Sequence, residues 1–396
     1  MSQTRSPNSL QTNLIRPVMP ELDSVRGVAI LGVLFLHGFY WQYSSLHFTG
    51  LAKTFLLATQ PGWLGVNLFF VLSGFLITGI LLDSKHKPQY YRRFYTRRAL
   101  RILPAYYLLL VLLALLHSAS VGFLGLSFVY LANVTSLFGI PTDYGPLWSL
   151  AVEEHYYIFW PAVVQKLTPK RLAICSIALC VAIPILRAVS FRLGYTFGLA
   201  SYTWFVADGL AAGSLLAIVL RTSITRQQVV SLCTTLLVSG VILTVVGRPF
   251  GITTRERLLG AALQHTLIDI VFGGILLFVL LVGTSSHKRY VNNSMLRFLG
   301  YLSYGLYLIH LLAFRIYDKL SRYYWPQLQP SDGHFGLVVL RFVVAGGFAI
   351  GLAYLSRKYF EETFLRLKDR LTQAPVTELP SPAAVSSGNP PEEIPA

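Results

Sequence analysis

Two side chains near the start of the chain, Arg26 and His37, could join anion binding to proton transfer within one apolar stretch. They are eleven positions apart, so an α-helix places them on nearly the same face, about 16 Å apart along its axis. Imidazole can act as a general base or a nucleophile near neutral pH. Because an ionisable group is costly in hydrocarbon unless it faces a bundle interior or a cavity, the pair predicts a site inside a membrane protein.

A second polar group opens a later apolar stretch, where Glu153 and Glu154 follow Trp148 and Ser149. Carboxylates at the mouth of a membrane span are costly against lipid, so we expect them to face the bundle interior. In the topology described below, the rise of a helix places Glu153 at about the depth of His37. We expect this carboxylate to contact the imidazole, fix its tautomer and stabilise its charged form. A buried structural pair without chemistry is the alternative.

Basic residues precede the third apolar stretch, among them Arg97, Arg98 and Arg101. If this stretch is helical, Arg98 and Arg101 share a face. Paired guanidinium groups suit phosphate because each planar fork can donate two parallel hydrogen bonds. The alternative interpretation is a cytoplasmic anchor that also contacts anionic lipid.

Other polar residues of the apolar stretches are interpreted as packing or cavity-lining groups. Ser73, which a glycine follows, lets a neighbouring helix approach closely, and Asn67 and Ser73 can hydrogen-bond across helices. The remaining groups are expected to be structural or to line a cavity: Trp148, Ser149, Glu154, Asp208, His265, Asp269, His310, Arg315 and Arg341. The three cysteines lie within apolar runs without metal-ligand spacing, so neither a metal site nor a disulfide framework is predicted.

The elements that must position these residues are membrane helices. The chain has 396 residues, of which 54% are hydrophobic and 13% charged, whereas soluble domains carry about 25% charged residues. The sequence therefore predicts an all-α, polytopic membrane helix bundle. Apolar windows near the length of a span lie at about 25–43, 62–82, 102–117, 148–165, 172–190, 199–220, 229–247, 258–282, 297–317 and 335–356. Basic cytoplasmic loops, rather than nucleic-acid binding, explain the net charge of +16.

The placement of lysine and arginine orients these ten windows. Residues 118–146 are apolar but broken by Ser, Gly and Pro, so they either cross as an eleventh span or re-enter. If they do not cross, basic residues concentrate in the loops of one side, with Arg187 in an outer loop. The positive-inside rule then favours ten spans with both termini cytoplasmic. The chain divides into a polar tail over 1–20, a transmembrane domain over 21–370, and a Pro-rich tail over 371–396 that is predicted to be disordered.

Taken in order, these segments resemble the membrane-bound acyltransferase 3 family, the O-antigen and exopolysaccharide O-acyltransferases, over about residues 20–365. The shared landmarks are Leu22-Asp23-x-x-Arg26-Gly27 with His37, Phe69-Phe70-x-x-Ser73-Gly74-x-x-Ile77, Arg98-x-x-Arg101, Trp148-Ser149-Leu150-x-x-Glu153-Glu154 through Trp160-Pro161, and Ser303-Tyr304-x-x-Tyr307-Leu308-x-His310. Three features depart from the family pattern. Asn67 replaces a frequent Asp, the last span ends in Phe360-Glu361-Glu362-Thr363-Phe364, and no fused extracytoplasmic esterase-like domain is recognised.

The resemblance implies an integral-membrane O-acyltransferase in the inner membrane of a bacterium. It implies acyl-CoA, most often acetyl-CoA, as a co-substrate in place of a permanently bound cofactor. The phosphates would bind these arginines: Arg98 and Arg101, with Arg97 and Arg26 beside them. His37 would be the general base or carry the acyl group itself, and Glu153 would assist it. The acceptor would be a carbohydrate, such as a surface polysaccharide or a lipid-linked glycan, and a separate extracytoplasmic transferase or glycan-assembly protein could act as a partner.

A polytopic transporter or proton-coupled permease is the alternative function, since it too would bury Asp, His and Glu. The sequence does not have the paired inverted halves with broken helices that mark many transporters. A scaffold for glycan-assembly enzymes would leave the cost of burying His37 and Glu153 unexplained. Consumption of a thioester would separate an enzyme from either alternative.

Overall fold

Helices make up most of the computed structural model, which describes residues 14–331 and 333–372. Within these ranges no β-strand is present, so the predicted all-α class is confirmed. Residues 1–13 and 373–396, which make up most of the two predicted tails, lie outside the described residues. The predicted extent of the membrane domain, 21–370, stays a prediction.

The helices follow one another with short connections. The α-helices of the described residues are α1 Pro20–Phe35, α2 Trp41–Tyr43, α3 Gly50–Thr59, α4 Leu64–Ser84, α5 Tyr90–Leu115, α6 Val121–Phe128, α7 Leu147–Lys166, α8 Pro169–Arg192, α9 Thr203–Val206, α10 Asp208–Val219, α11 Arg226–Gly247, α12 Leu258–Gly283, α13 Ser294–Tyr324, α14 Phe335–Leu355 and α15 Glu362–Thr372. Two π-helical turns, Leu36–Tyr40 and Ser356–Glu361, follow α1 and α14 directly. Short 3₁₀ turns lie at Gln60–Trp63, Thr135–Phe138, Arg248–Phe250 and Lys288–Tyr290.

Eight helical segments of the described chain are long and apolar enough to cross a membrane, since a hydrocarbon core of about 30 Å requires about 20 helical residues. They are Pro20–Tyr43, Gly50–Ser84, Tyr90–Leu115, Pro169–Arg192, Arg226–Phe250, Leu258–Gly283, Ser294–Tyr324 and Phe335–Leu367. The other two predicted windows correspond to α7, which is more polar, and to α9 with α10, of which α10 has 12 residues. A multi-pass membrane protein is thus confirmed, whereas the count of ten spans stays a prediction.

Residues 118–146, all within the described part of the chain, contain no helix long enough to cross. α6 has eight residues, about 12 Å of helix, and Ser120 caps it by accepting a hydrogen bond from the Phe123 amide. Asp143, near the end of the segment, accepts a hydrogen bond from the Ser120 hydroxyl at 2.6 Å. Phe123 and Tyr144 are completely buried in the central core with residues of α5 and α13. The segment therefore folds back into the bundle, as expected of re-entry.

Several loops meet at one end of the bundle, which we call the basic end. The contacts that join them are Lys85 Nζ to the Leu167 carbonyl at 2.5 Å, Arg221 Nη2 to Asp83 Oδ2 at 2.7 Å, and Arg16 Nη1 to the Gly283 carbonyl at 3.3 Å. Because α4 ends at this end and α5 begins there, the arginine-rich start of α5 also lies on this side.

Small residues bring the backbones of the central helices into direct contact. A Cβ atom added to Gly27 of α1 would lie 2.0 Å from the carbonyl oxygen of Leu296 in α13. A Cβ atom added to Gly74 of α4 would lie equally close, at 2.0 Å, to the carbonyl oxygen of Leu210 in α10. Only glycine allows these approaches, which are typical of packed membrane helices. The first approach holds α1, which carries Arg26 and leads directly into the π turn with His37, against α13, the helix that carries His310.

Candidate active site

A cavity of ≈ 100 Å³ lies between α1, α4, α5, α7 and α13. Its polar lining is Arg26, Ser73, Arg98, Arg101, Ser149, Glu153, Glu154, Tyr157, Ser303, Tyr304 and Tyr307. Its apolar lining is Val66, Phe69, Phe70, Ile102 and Leu150. The spacing of these residues explains the lining, because positions three or four apart share one face of a helix. Ser149, Glu153 and Tyr157 are four apart on α7, and Arg98 and Arg101 are three apart on α5.

The charged part of this lining, Arg26, Arg98, Arg101, Glu153 and Glu154, is here called the cavity cluster. It has three guanidinium groups against two carboxyl groups, so the cavity favours an anionic ligand. Arg26 donates to Asp23 Oδ1 at 2.9 Å, and Arg98 lies 4.7 Å from the centre of the Tyr157 ring. Arg101 is exposed. The structure thus brings together three of the four predicted phosphate ligands.

The fourth predicted phosphate ligand, Arg97, is not among the described residues that line the cavity. It directly precedes Arg98 on α5, and neighbouring helical positions face different directions. Arg97 is exposed. Arg97 thus differs in position from Arg98 and Arg101, although the sequence grouped the three.

Glu153 has different partners from the one that the sequence analysis expected. Its Oε1 accepts a hydrogen bond from Ser73 Oγ at 3.0 Å, and its Oε2 accepts one from the Tyr157 hydroxyl at 2.9 Å. The expected contact with His37 is not observed. Glu153 shares the cavity with Arg26, which lies about 16 Å from His37 along α1. The depth estimate assumed that α7 begins at a membrane surface, whereas its first residues are buried in the bundle directly after the segment that folds back.

The partner of His37 is His310, which is completely buried on α13. His310 Nε2 and His37 Nδ1 are 3.0 Å apart, and His310 Nδ1 lies 3.0 Å from the carbonyl oxygen of Leu306. A carbonyl oxygen only accepts, so His310 Nδ1 must carry a proton. In a neutral, buried His310, Nε2 then accepts from His37 Nδ1–H. This network leaves the lone pair of His37 on Nε2.

A π-helical turn, Leu36–Tyr40, carries His37. The Trp41 amide closes the turn by donating to the Leu36 carbonyl five residues earlier. The indole of Trp41 then stacks on the His37 ring, with the ring centres 5.1 Å apart and the planes 19° apart. Single π turns inside α-helices are rare and occur often at functional sites. No pattern in the sequence predicts this turn.

Tyr144 positions the other histidine. Its hydroxyl donates to the Leu308 carbonyl at 2.7 Å and accepts from the Leu312 amide at 3.0 Å, so it is inserted between groups that an α-helix would bond directly. His310 lies midway between these two residues. The sequence analysis missed Tyr144, because it lies in the re-entrant segment and its partner helix is far away in the sequence.

Tyr307 links the cavity to the histidine pair. It lines the cavity, its hydroxyl lies 2.6 Å from Ser149 Oγ, and its ring centre is 6.0 Å from that of His310. His37 and His310 are not among the described residues that line the cavity. The predicted site therefore has two adjoining parts, an arginine-rich cavity and a histidine pair, with Tyr307 between them.

Three further predicted residues lie elsewhere. Trp148 packs edge-on against Phe70, with ring centres 6.0 Å apart, and does not line the cavity. Asn67 donates to Asp269 Oδ1 at 2.9 Å. Asp208 is bound by Arg187, whose Nη2 lies 2.8 Å from Oδ2. Among the described residues, no group of three or more His, Cys, Asp or Glu could hold a metal ion.

The structure corrects the placement of Arg187, which the sequence analysis assigned to an outer loop. The residue is completely buried within α8, and all three of its nitrogens donate to acceptors inside the bundle. These acceptors are the carbonyls of Ala262 and Phe205, the Asp208 carboxylate and the Thr266 hydroxyl. We call Asn67, Arg187, Asp208, Thr266 and Asp269 the closed cluster.

Comparison with known proteins finds a matching family model and several similar sequences. A family model described as an acyltransferase domain matches residues 19–358. Peptidoglycan O-acetyltransferase OatA of Listeria monocytogenes is 28% identical over 344 residues, which is 76% of this chain and 50% of that protein. The putative peptidoglycan O-acetyltransferase YrhL of Bacillus subtilis is 35% identical over 164 residues, 36% of this chain and 23% of that protein. This chain thus spans half or less of the length of these curated relatives. No solved structure matches it.

Proposed function

Because this chain belongs to the acyltransferase 3 family, we propose that it transfers an acetyl group from cytoplasmic acetyl-CoA to a hydroxyl of a cell-surface carbohydrate. The family makes it a membrane acyltransferase of the class that moves groups other than aminoacyl groups. The choice of acetyl rests on the relatives, which are named as O-acetyltransferases. The observation that supports the proposal best is an arginine-rich cavity that adjoins a histidine with a lone pair on Nε2.

The donor would enter from the basic end, which we propose faces the cytoplasm. Arg98, Arg101 and Arg26 would bind the phosphates of acetyl-CoA, since together they exceed the two carboxyl groups of the cavity. Arg97, beside them on α5, would contact the nucleotide outside the cavity. The thin pantetheine arm would then extend past Tyr307 toward His37, over the distance of about 16 Å that separates Arg26 from His37 along α1.

The chemistry would take place at His37 Nε2. As a general base, this nitrogen removes the proton of the acceptor hydroxyl while the oxygen attacks the thioester carbonyl; the C–S bond breaks and the CoA thiolate leaves. Alternatively, Nε2 attacks the thioester first and carries the acetyl group to the hydroxyl. Both routes need the lone pair that the hydrogen bonds through His310 leave on Nε2. His310 thus takes the supporting role that the sequence assigned to Glu153.

The acceptor is proposed from the relatives alone. The matched proteins of Listeria monocytogenes and Bacillus subtilis carry peptidoglycan in their names, so a peptidoglycan or related glycan is the first acceptor to test. The remaining parts of the proposal are the cytoplasmic membrane of a bacterium, ten spans with both termini cytoplasmic, and a separate extracytoplasmic transferase or assembly protein as partner. Spans and orientation follow from the basic loops.

The experiment follows radiolabelled acetyl-CoA in membranes that contain the endogenous glycan. We expect the wild type to consume the thioester and label a macromolecule, and His37→Ala to be slower by about 10²–10⁴-fold, since it loses its acid–base group. His86→Ala is the matched control, because this histidine is exposed in the loop after α4. Label released as muropeptides by a muramidase identifies peptidoglycan. Transfer by His37→Ala at the wild-type rate would contradict the mechanism. Wild-type membranes that consume no thioester would show that acetyl-CoA or the supplied acceptor is the wrong substrate.

A further inference from the structure

The π turn that carries His37 is held from outside by one side chain. The carbonyl oxygen of Gly38, the residue after His37, accepts a hydrogen bond from Arg341 Nη1 of α14 at 3.2 Å. Gly38 is buried, and Arg341 is 2% exposed. A π turn holds one residue more than an α turn, which displaces its carbonyl groups from the regular ladder, so an external donor of this kind stabilises it.

Arg341 is itself held rigidly. Asp318 of α13 accepts from Arg341 Nε at 2.6 Å and from Nη2 at 2.8 Å, which is the two-pronged geometry of a strong pair. The guanidinium lies 4.6 Å from the ring centre of Phe314 and 5.3 Å from that of Tyr43. Two nitrogens are thus fixed by Asp318, and the third is directed at Gly38.

These contacts connect the same two helices that carry the histidine pair. Asp318 lies eight residues after His310 on α13, and Gly38 is adjacent to His37. The turn also fits closely against α14, since a Cβ atom on Gly38 would lie 2.4 Å from Phe342 Cδ2. A rotation of the π turn that broke the bond to Arg341 would therefore also move the His37 ring from His310.

We propose that Arg341, held by Asp318, is a positioning residue that fixes the orientation of His37 for acyl transfer. The proposal rests on the proposed function, in which His37 Nε2 meets the reacting atoms. Arg341 does not line the cavity in the described structure, and Gly38 lies about 18 Å along α1 from Arg26. Loss of Arg341 should therefore lower kcat and leave the KM for acetyl-CoA unchanged.

The test removes both charges at once, with Arg341→Met combined with Asp318→Leu, because a single substitution leaves an unpaired charge in the bundle. The readouts are thermal unfolding of the purified protein, and kcat and KM with acetyl-CoA. We expect near wild-type unfolding, an unchanged KM, and a kcat lower by about 100-fold, the typical effect of a misplaced catalytic group. A stable double variant with wild-type kcat would overturn the proposal, because the pair would then be structural only.

The control is Arg221→Met with Asp83→Leu, an ion pair at the basic end with a contact distance of 2.7 Å. We expect it to keep wild-type kcat. Should the first double variant unfold, Asp318→Asn and Arg341→Gln are compared per folded protein. Asp318→Asn keeps the Arg341 donor to Gly38 and should retain more kcat than Arg341→Gln; equal losses would overturn the proposal. His37→Ala, measured in parallel, separates the two claims. If His37→Ala stays active, the proposed function is wrong; if it is inactive while the stable double variant keeps wild-type kcat, only the role of Arg341 is wrong.

Discussion

The bundle holds two groups of charged side chains that look alike in the sequence and differ in the structure. In the closed cluster the charged groups bond to side chains inside the bundle: Arg187 and Asp208 share two hydrogen bonds at 2.8 and 3.1 Å, and Asp269 accepts one from Asn67. Arg187, Asp208 and Asp269 are all buried. The cavity cluster instead surrounds an open space, with three guanidinium groups and two carboxyl groups. We infer that a charged side chain between membrane helices indicates a binding site when its hydrogen-bonding groups face a cavity, and a structural contact when they face each other.

The largest effect that would test this comparison is on stability. Arg187→Met leaves Asp208 buried without its cation, so we expect a loss of about 3–5 kcal/mol in the free energy of unfolding. Thermal unfolding in detergent measures it. Arg98→Met is the matched control, since Arg98 faces the cavity and can be replaced without leaving a closed pair broken. Similar unfolding temperatures for the two variants would contradict the distinction between the clusters.

Hydropathy and motif order were enough to predict the class and most of the spans. Apolar length alone identifies segments such as Pro169–Arg192, because the hydrocarbon core imposes it. The same measure misplaced Arg187, which lies near the end of that span in the sequence, although its side chain extends inward to Asp208. A long, flexible side chain can reach a partner that position along the span does not reveal.

The partners within the site could not be predicted from the sequence. His37 and His310 are 273 positions apart, and only the direct backbone contact of α1 with α13 brings them together. Counting depth from the membrane surface pairs Glu153 with His37, but this count assumes that every helix begins at that surface. The re-entrant segment before α7 breaks that assumption. Tyr144, which orders the backbone around His310, lies in that same segment.

The second prediction concerns binding at the cavity cluster. Arg98→Ala with Arg101→Ala should raise the KM for acetyl-CoA by about 100-fold, because each charge-assisted hydrogen bond contributes about 1.5 kcal/mol or more and 1.4 kcal/mol is tenfold. Unfolding should stay at the wild-type temperature, in contrast to Arg187→Met. Arg92→Ala with Arg93→Ala is the control, since these residues precede the cavity on the same helix. An equal rise in KM in the control would indicate non-specific attraction by the basic end.

The smallest expected effect is that of Glu153→Gln, and it tests whether this residue acts in the cavity and not as the partner of His37. The side chain keeps its shape and can still bond to Ser73 and Tyr157, so mainly one negative charge is lost among the arginines. We expect kcat to fall about tenfold, roughly 1.4 kcal/mol, with an unchanged or lower KM for the anionic donor. His310→Leu should lower kcat further, since it removes the acceptor of His37 Nδ1–H. Were Glu153 the orienting group of His37, its amide variant would cost about 10⁴-fold, as loss of such a group does in a catalytic triad.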